Sequence, residues 1–333
     1  MRTTVSESFE GLSPDVWDGV VRATKAPIFY RASYLAAGER APLSAAEEFV
    51  YVVARDDDGV PVAVCPATLQ YPGDPLGVLT AHFPEIGAQD RLLLSHVWHC
   101  YDTRLPAQRP DAVAAVVETL RGVARQRGAS TLGFVNVAEP DLIARLRGLG
   151  FATAEIDERF RADLRDVDGL DGFLARMGPR TRRTLRQYAR WAREQSVGVR
   201  IVEPGEVDLD EALELVRATA GRHGNASFYP EGRFQAFLLS LGEEVVAVEI
   251  RMRKRCIAIA FCLVDDQSFH IWTGGVDYDA KTRFSPYGLL LLECIRAALV
   301  SGRPFLEAGR RNREYKERHA LQRVPLSACL CHV

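Results

Sequence analysis

The sequence has few lysines, no zinc-type cysteine pattern and no long apolar segment. Lys25, Lys254, Lys281 and Lys316 are its only lysines, and every other basic residue is arginine. Its seven cysteines are scattered, without a CxxC pair at zinc spacing, which argues against a zinc site. No apolar run approaches the length of a membrane span, and the first residues lack the apolar core of a signal peptide. We therefore expect free thiols, no metal, no membrane association and a cytoplasmic location.

Length and charge set further limits on the function. The chain has 333 residues, 47% hydrophobic and 26% charged, which suits a globular protein of two domains or one large one. A formal net charge of -2 gives no overall attraction to nucleic acids or membranes. Positive charge is nevertheless concentrated in segments 180–193 and 310–318. The first segment could be a solvated helix surface or a contact for phosphate groups, and the sequence leaves both open.

Apolar periodicity and turn signals predict the same order of elements in both halves of the chain. In each half a strand hairpin is followed by strand, helix, strand, helix and strand. The predicted ranges are 48–70, 92–98, 111–126, 131–137, 140–149 and 151–164 in the first half, and 244–264, 267–273, 285–301, 304–307, 312–320 and 324–330 in the second. An arginine-rich helical stretch, broken at Gly178-Pro179, leads into the second half. We therefore expect two repeats, 1–165 and 166–333.

The stretch 269–318 organises the second half. Ser285 followed by Pro286 is a helix-start signal, and Gly302 is typical of a residue just past a helix C-terminus. The helix between them would follow a loop containing Gly274-Gly275. Its first amides and a nearby Arg283 could hold a phosphate or an oxyanion, but an ordinary buried helix with a proline start fits equally well.

This order of elements resembles the GNAT acyltransferase fold, and two copies in one chain resemble its FemAB-like branch. The resemblance is carried by LARMGPRTRRTLR at 174–186, by GGVD at 274–277 before SPYG at 285–288, and by EAG at 307–309 leading to Tyr315-Lys316. It implies an α/β fold of two tandem repeats, each a mixed, mostly antiparallel sheet flanked by helices. It covers 171–323 well and the first half by architecture alone. We expect the first repeat to lack a donor site and to serve as a platform for the acceptor or for the second repeat.

The resemblance also implies a donor site in the second repeat. GNAT enzymes hold the donor pyrophosphate on loop amides, and the matching run here is Arg283-x-x-Pro286-x-Gly288, in which proline removes one amide. The residues expected to bind the donor are Arg283, Ser285, Tyr287, Gly288, Arg183 and Arg186. In the first half the matching run, 104–110, contains no glycine.

Amide formation requires loss of a proton from the attacking amine and stabilisation of an oxyanion, and the leaving group can need a proton. The resemblance makes Lys316 the candidate for oxyanion or phosphate stabilisation and Tyr315 the candidate acid for the leaving group. The alternatives are a surface lysine and a tyrosine that only packs.

The base is open among several residues. His223 lies in a polar, aromatic loop that could border an acceptor cleft, and its ordinary pKa suits the task. Asp277 follows the central strand, while Glu249 and Glu307 lie on strands and could simply be paired with arginines. A further group, His96, Trp98 and His99, alternates across a predicted strand, so we do not expect it to bind a single metal.

Three functions remain open. The first is an N-acyltransferase with acyl-CoA as co-substrate, in which a small-molecule amine attacks directly without a covalent enzyme intermediate. The second is a FemAB-like aminoacyltransferase that uses aminoacyl-tRNA, which the arginine-rich helix favours and the net charge mildly disfavours. The third is a catalytically inactive binding module with a GNAT fold.

Overall fold

The computed structural model describes residues 1–44, 46–87, 89–95 and 99–333. The chain forms two compact units, one made of Met1–Glu158 with Val324–Val333 and the other of Arg159–Arg323. The strands are β1 (Arg2–Ser6), β2 (Ala46–Arg55), β3 (Pro61–Gln70), β4 (Leu92–Ser95), β5 (Thr131–Val137), β6 (Ala152–Asp163), β7 (Val197–Val202), β8 (Val245–Met252), β9 (Arg255–Val264), β10 (Ser268–Val276), β11 (Phe305–Arg310) and β12 (Gln322–His332). The helices are α1 (Pro14–Ala23), α2 (Ala32–Arg40), α3 (Pro110–Gln126), α4 (Pro140–Gly148), α5 (Gly169–Ala175), α6 (Pro179–Glu194), α7 (Leu209–Gly221), α8 (Arg233–Ser240), α9 (Pro286–Ser301) and α10 (Arg313–Arg318).

The first unit orders its strands β1-β2-β3-β4-β5-β12. The β4–β5 pair is parallel and the other pairs in this unit are antiparallel. Helix α3 buries Val116 and Leu120 completely against the core of this unit, because its apolar residues recur at helical spacing. The α/β architecture with a mostly antiparallel sheet is confirmed here.

The second unit orders its strands β6-β11-β10-β9-β8-β7, with a parallel β10–β11 pair and antiparallel neighbours. Helix α9 lies in its core, with Leu289, Leu292 and Ile295 at most 2% exposed. The predicted start and end of α9 are confirmed: the Ser285 side chain caps it, Pro286 opens it, and Gly302 follows it in the left-handed conformation at φ 69°.

The C-terminal strand corrects one prediction. We expected residues 324–330 to close the second repeat, but β12 pairs antiparallel with β5, from Ser327 opposite Val137 to His332 opposite Thr131. The end of the chain thus completes the sheet of the first unit.

One local prediction is also wrong, and one strand was not predicted. Gly274 and Gly275 lie inside β10 rather than in a loop, because the backbone of α7 packs directly on Gly275 and leaves no room for a side chain. At the N-terminus, β1 was not predicted, because its sequence RTTVS is largely exposed and lacks a buried apolar alternation.

Candidate functional site

The parallel strands β10 and β11 separate soon after they pair. In the described chain their pairing covers Ser268 to His270 opposite Phe305 to Glu307, although β10 continues to Val276. The register of β10 on β9 shifts between Ile271 and Thr273, so Trp272 is the extra residue of a bulge. Beyond His270, β10 no longer pairs with β11 in the described chain, and its last amide, that of Val276, donates to Thr219 Oγ1 at 3.1 Å.

The bulge turns two consecutive side chains of β10 toward the same face. The Trp272 ring stacks with Phe234 and Phe237 of α8, at centroid distances of 6.2 and 5.6 Å. The Thr273 hydroxyl donates to the Tyr229 hydroxyl at 2.9 Å. The segment between α7 and α8 is thus fixed beside the divergence of the strands.

Ion pairs are buried where the divergence begins. Glu307, 2% exposed, lies 3.0 Å from the guanidinium of Arg159 and 3.2 Å from that of Arg161. On β10, His270 Nε2 lies 3.0 Å from Asp265 Oδ2. Sequence reasoning considered Glu307 but missed Arg159 and the histidine–aspartate pair, because nothing in a strand pattern distinguishes a buried arginine from an exposed one.

Lys316 is buried beside the end of β11. Its Nζ donates to the carbonyl oxygens of Ala308 and Arg310, both at 2.6 Å, and lies 5.3 Å from the ring centroid of Phe160. The residue is 4% exposed, although it stands in the charged run REYKER. It therefore contacts the protein backbone rather than solvent.

The start of α9 offers few amides to an anion. The Gly288 amide donates to Ser285 Oγ at 3.1 Å, the Leu289 amide donates to the Ser285 carbonyl at 3.0 Å, and Pro286 has no N–H. In the first turn of α9 as described, only the Tyr287 amide makes neither of these hydrogen bonds. The helix start is a weaker anion site than the sequence suggested.

Two tyrosine rings lie directly over Gly288. A methyl group placed on Gly288 would be 2.8 Å from Cε2 of Tyr188 and 3.1 Å from the hydroxyl oxygen of Tyr315. Because Gly288 has no side chain, the tyrosine rings of α6 and α10 can pack against its backbone.

Tyr315 belongs to an aromatic stack. Its ring lies 5.1 Å from that of Tyr287. It also stacks on the His319 ring at 4.0 Å, with an angle of 23° between the two planes. Burial raises the pKa of both tyrosine hydroxyls above the ordinary value. Each hydroxyl therefore keeps its proton at neutral pH and can donate it in a hydrogen bond.

We expect His319 to make the protein less stable below neutral pH. Burial lowers the pKa of His319, whose Nδ1 lies 2.5 Å from the Tyr315 carbonyl. The unfolded chain then binds a proton that the folded chain rejects, so stability is present above the unfolded pKa of about 6.5 and falls as the pH drops through the folded value. Urea unfolding at about pH 7.5 and about pH 5.5 should show a smaller loss for His319→Gln than for the wild type. His223→Gln, on an exposed histidine, is the control; equal losses in all three proteins would contradict the prediction.

Arg283 reaches α6 rather than standing alone. Its guanidinium lies 5.0 Å from the Trp191 ring centroid and 3.5 Å from the Glu194 carboxylate. Arg186 pairs with Asp171 at 2.6 Å. On the first turns of α6, Arg180 and Arg183 are exposed and Arg182 is half-buried, and none of the three has an ionic partner in the described chain. This helix therefore presents uncompensated positive charge.

The base candidates are placed differently. His223 is exposed in the loop after α7. Asp277 is buried, lies 2.8 Å from Arg255 and accepts the Asp279 amide at 3.0 Å. Glu249 is buried and paired with two arginines. The structure thus brings Tyr315 to the start of α9 and Lys316 to the end of β11. In the described chain His223 and Asp277 make no hydrogen bond, ion pair or ring contact with these two residues.

The first unit uses the corresponding region differently. Beyond its parallel pairing with β4, strand β5 forms a parallel bridge from Val137 to Thr103, whose amide donates to the Asn136 carbonyl at 3.0 Å. The Asn136 side chain donates to the Cys100 carbonyl at 3.0 Å. On the side of β5 that faces β4, the end of the strand is therefore occupied by the segment around Thr103.

The remaining motif falls partly outside the described residues. His96 and Trp98 lie outside them, and His99 has a left-handed backbone at φ 60°. Among the described residues no group of three or more histidine, cysteine and acidic side chains could hold a metal ion. In the same residues, no helix combines the length and apolar character that crossing a membrane requires.

Comparison with known proteins identifies the fold. Residues 179–317 match the family described as Acetyltransferase (GNAT) domain, and no curated protein matches the chain. FemX is similar with a TM-score of 0.67 at 10% identity over 99% of this chain and 97% of its own. A tandem GNAT protein from the clavulanic acid biosynthesis pathway gives 0.59 at 11% over 99% and 98%. The C-terminal domain of a putative lysylphosphatidylglycerol synthetase from Agrobacterium fabrum gives 0.60 at 16% over 95% and 90%.

Proposed function

We propose that this chain, a double-GNAT protein of FemAB-like fold, transfers an acyl group from an activated donor to an amine. The observation that carries the proposal is the divergence of β10 and β11, which pair over three residues and then separate at the Trp272 bulge. Strand backbone freed in this way can hold an extended acyl donor by main-chain hydrogen bonds, as an added strand is held at a sheet edge. The donor would lie in the second repeat, between the start of α9 and the end of β11.

The reaction would proceed by direct attack. The amine nitrogen forms a bond to the acyl carbon, the carbonyl oxygen becomes an oxyanion, and the bond to the leaving group then breaks. Backbone N–H groups of β10 beyond His270 are candidate donors to the oxyanion. Tyr315, whose hydroxyl keeps its proton, is the candidate acid for the leaving group, and His223 is the candidate acceptor of the amine proton because Asp277 is already paired.

The cysteines support a mechanism without an acyl-enzyme. All seven are buried. Burial raises the pKa of Cys256 and of Cys329 to about 12, so little thiolate forms at neutral pH. Mass spectrometry of the protein after incubation with donor alone should detect no acylated cysteine; an acyl adduct would overturn direct attack.

Two donors are compatible with the site. The GNAT match favours acyl-CoA, whose phosphates could be held by Arg283, Arg183 and the Tyr287 amide. Aminoacyl-tRNA is the second candidate, supported by the unpaired arginines of α6 and by the capped and covered start of α9. A small-molecule amine is the acceptor in either case.

A thermal-shift experiment would distinguish the donors. A ligand at about 100 times its Kd stabilises by about 2.7 kcal/mol, which for a chain of this size is a rise in Tm of roughly 5 °C. CoA, acetyl-CoA and a mixed pool of aminoacyl-tRNA are each added to wild type, Arg283→Ala and, as a control on the first unit, Arg145→Ala. A rise with CoA esters that is lost only in Arg283→Ala supports the first donor, and a rise only with charged tRNA supports the second. No rise with any donor would contradict the proposed function.

A further inference from the structure

The end of β11 contains a bulge of its own. Glu307 lies opposite Arg161 of β6 and Arg310 opposite Arg159, so three steps along β11 match two steps along β6. Gly309 lies within the extra length and has a left-handed backbone at φ 66°. Such a bulge leaves main-chain groups outside the ladder, and buried carbonyls without a partner are costly.

Lys316 binds two carbonyl oxygens of this segment. Its ammonium donates to the carbonyls of Ala308 and Arg310, which flank Gly309 in the chain, at 2.6 Å each. Charged donors at this distance make strong hydrogen bonds. The buried side chain of Lys316 thereby connects helix α10 to the β11 bulge.

The β11 bulge lies where β11 stops pairing with β10, so the Lys316 hydrogen bonds can influence the distance between these two strands. Pairing of β11 with β10 ends at Glu307 opposite His270, and the bulge begins at the next residue. Over the same short segment, β11 thus ends its pairing with β10 and shifts its register on β6. An ammonium that fixes the carbonyls of this segment also fixes the separation between β10 and β11.

We propose that Lys316 is a positioning residue that acts through β11, by holding open the divergence in which the donor binds, and that it does not touch the reacting atoms. The inference rests on the proposed function for the identity of the gap. It replaces the role suggested by sequence, in which the ammonium stabilises an oxyanion. Two of the three N–H groups of this ammonium are already committed to those carbonyls at 2.6 Å, in a side chain that is 4% exposed.

Lys316→Met and Gly309→Ala should have the same effect, because both disrupt the β11 bulge. The first removes the ammonium that binds its carbonyls, and the second strains its left-handed backbone. Each should lower Tm by roughly 5 °C and, assayed about 20 °C below its own Tm, raise the KM for the donor roughly tenfold or more, with a smaller change in kcat. The double variant should be little worse than either single one, since the two changes disrupt one structure. Lys281→Met, which removes an exposed lysine from the segment between β10 and α9, should match the wild type.

A catalytic lysine predicts a different pattern. Lys316→Met would then keep the wild-type Tm and donor KM and lose kcat alone, and Gly309→Ala would not reproduce it. That pattern overturns the proposal, as do fully additive effects on Tm. If Lys316→Met does not fold, Gly309→Ala decides by its donor KM.

Failure of the proposed function would be recognised separately. If the wild type binds no acyl donor, the transferase assignment fails. The coupling between Lys316 and Gly309 is measured from Tm and from amide hydrogen exchange at Arg310 and Arg311, both without substrate. Absence of that coupling overturns the positioning role whatever the reaction is.

Discussion

Replacing Gly275 by alanine is expected to destabilise the second unit by about 3 kcal/mol or more and to abolish activity at physiological temperature. A methyl group at this position would lie 2.1 Å from the Leu215 carbonyl carbon, 2.3 Å from its oxygen and 2.4 Å from the Val216 nitrogen. These are backbone atoms of α7, so no side-chain rotation can relieve the overlap. Helix α7 would have to move off β10 next to the Trp272 bulge.

The matched control is Gly122→Ala in α3. No atom lies within 4 Å of a methyl group placed there, and alanine is favoured over glycine inside a helix by about 0.5–1 kcal/mol. Urea unfolding should therefore show opposite signs for the two glycine-to-alanine changes. A Gly275→Ala protein with wild-type stability would show that the packing of α7 on β10 is looser than described.

Replacing Glu307 by glutamine is expected to cost roughly 3–5 kcal/mol, because it leaves the guanidinium of Arg159 buried against a neutral amide. Both side chains are 2% exposed and 3.0 Å apart. The change keeps the shape of the side chain and removes only its charge. Since Glu307 is also the last residue of β11 that pairs with β10, donor binding should weaken together with stability.

Glu47→Gln provides the comparison. Glu47 pairs with Arg91 at 2.9 Å, but both side chains are at least one third exposed, so the expected cost is below about 1 kcal/mol. The double change Arg159→Met with Glu307→Met should recover part of the loss, since removing both charges leaves no charge uncompensated within this pair. Similar costs for Glu47→Gln and Glu307→Gln would contradict a buried, desolvated pair.

Local signals in the sequence predicted local structure well. Ser285, Pro286 and Gly302 set the limits of α9 as expected, because capping depends on residues within one turn of the helix end. The break at Gly178-Pro179 likewise separates α5 from α6. The duplicated order of elements was readable because apolar periodicity is preserved in both halves.

Features that depend on distant contacts were not predictable in the same way. A Gly-Gly pair has the composition of a loop, and only the approach of α7 explains why it lies in β10. The pairing of β12 with β5 joins residues almost 200 positions apart, which no local pattern reports. The orientation of Lys316 depends on how α10 is rotated: Lys316 and His319 face inward, whereas Arg313 and Glu317 pair on the outside. The sequence identified the lysine but could not show that its ammonium binds carbonyls.

The assignment of Val324–Val333 to the first unit has a consequence for biosynthesis. The second unit is a continuous stretch, Arg159–Arg323, so all of its residues are synthesised before Val324–Val333. The sheet of the first unit has to wait for β12, although most of its residues are made earlier. Domains usually fold in the order of synthesis. In this chain the first unit receives its last strand only after all residues of the second unit have been made. Until then the edge of β5 that will pair with β12 is exposed, and we expect a chaperone or a misfolding partner to bind there first.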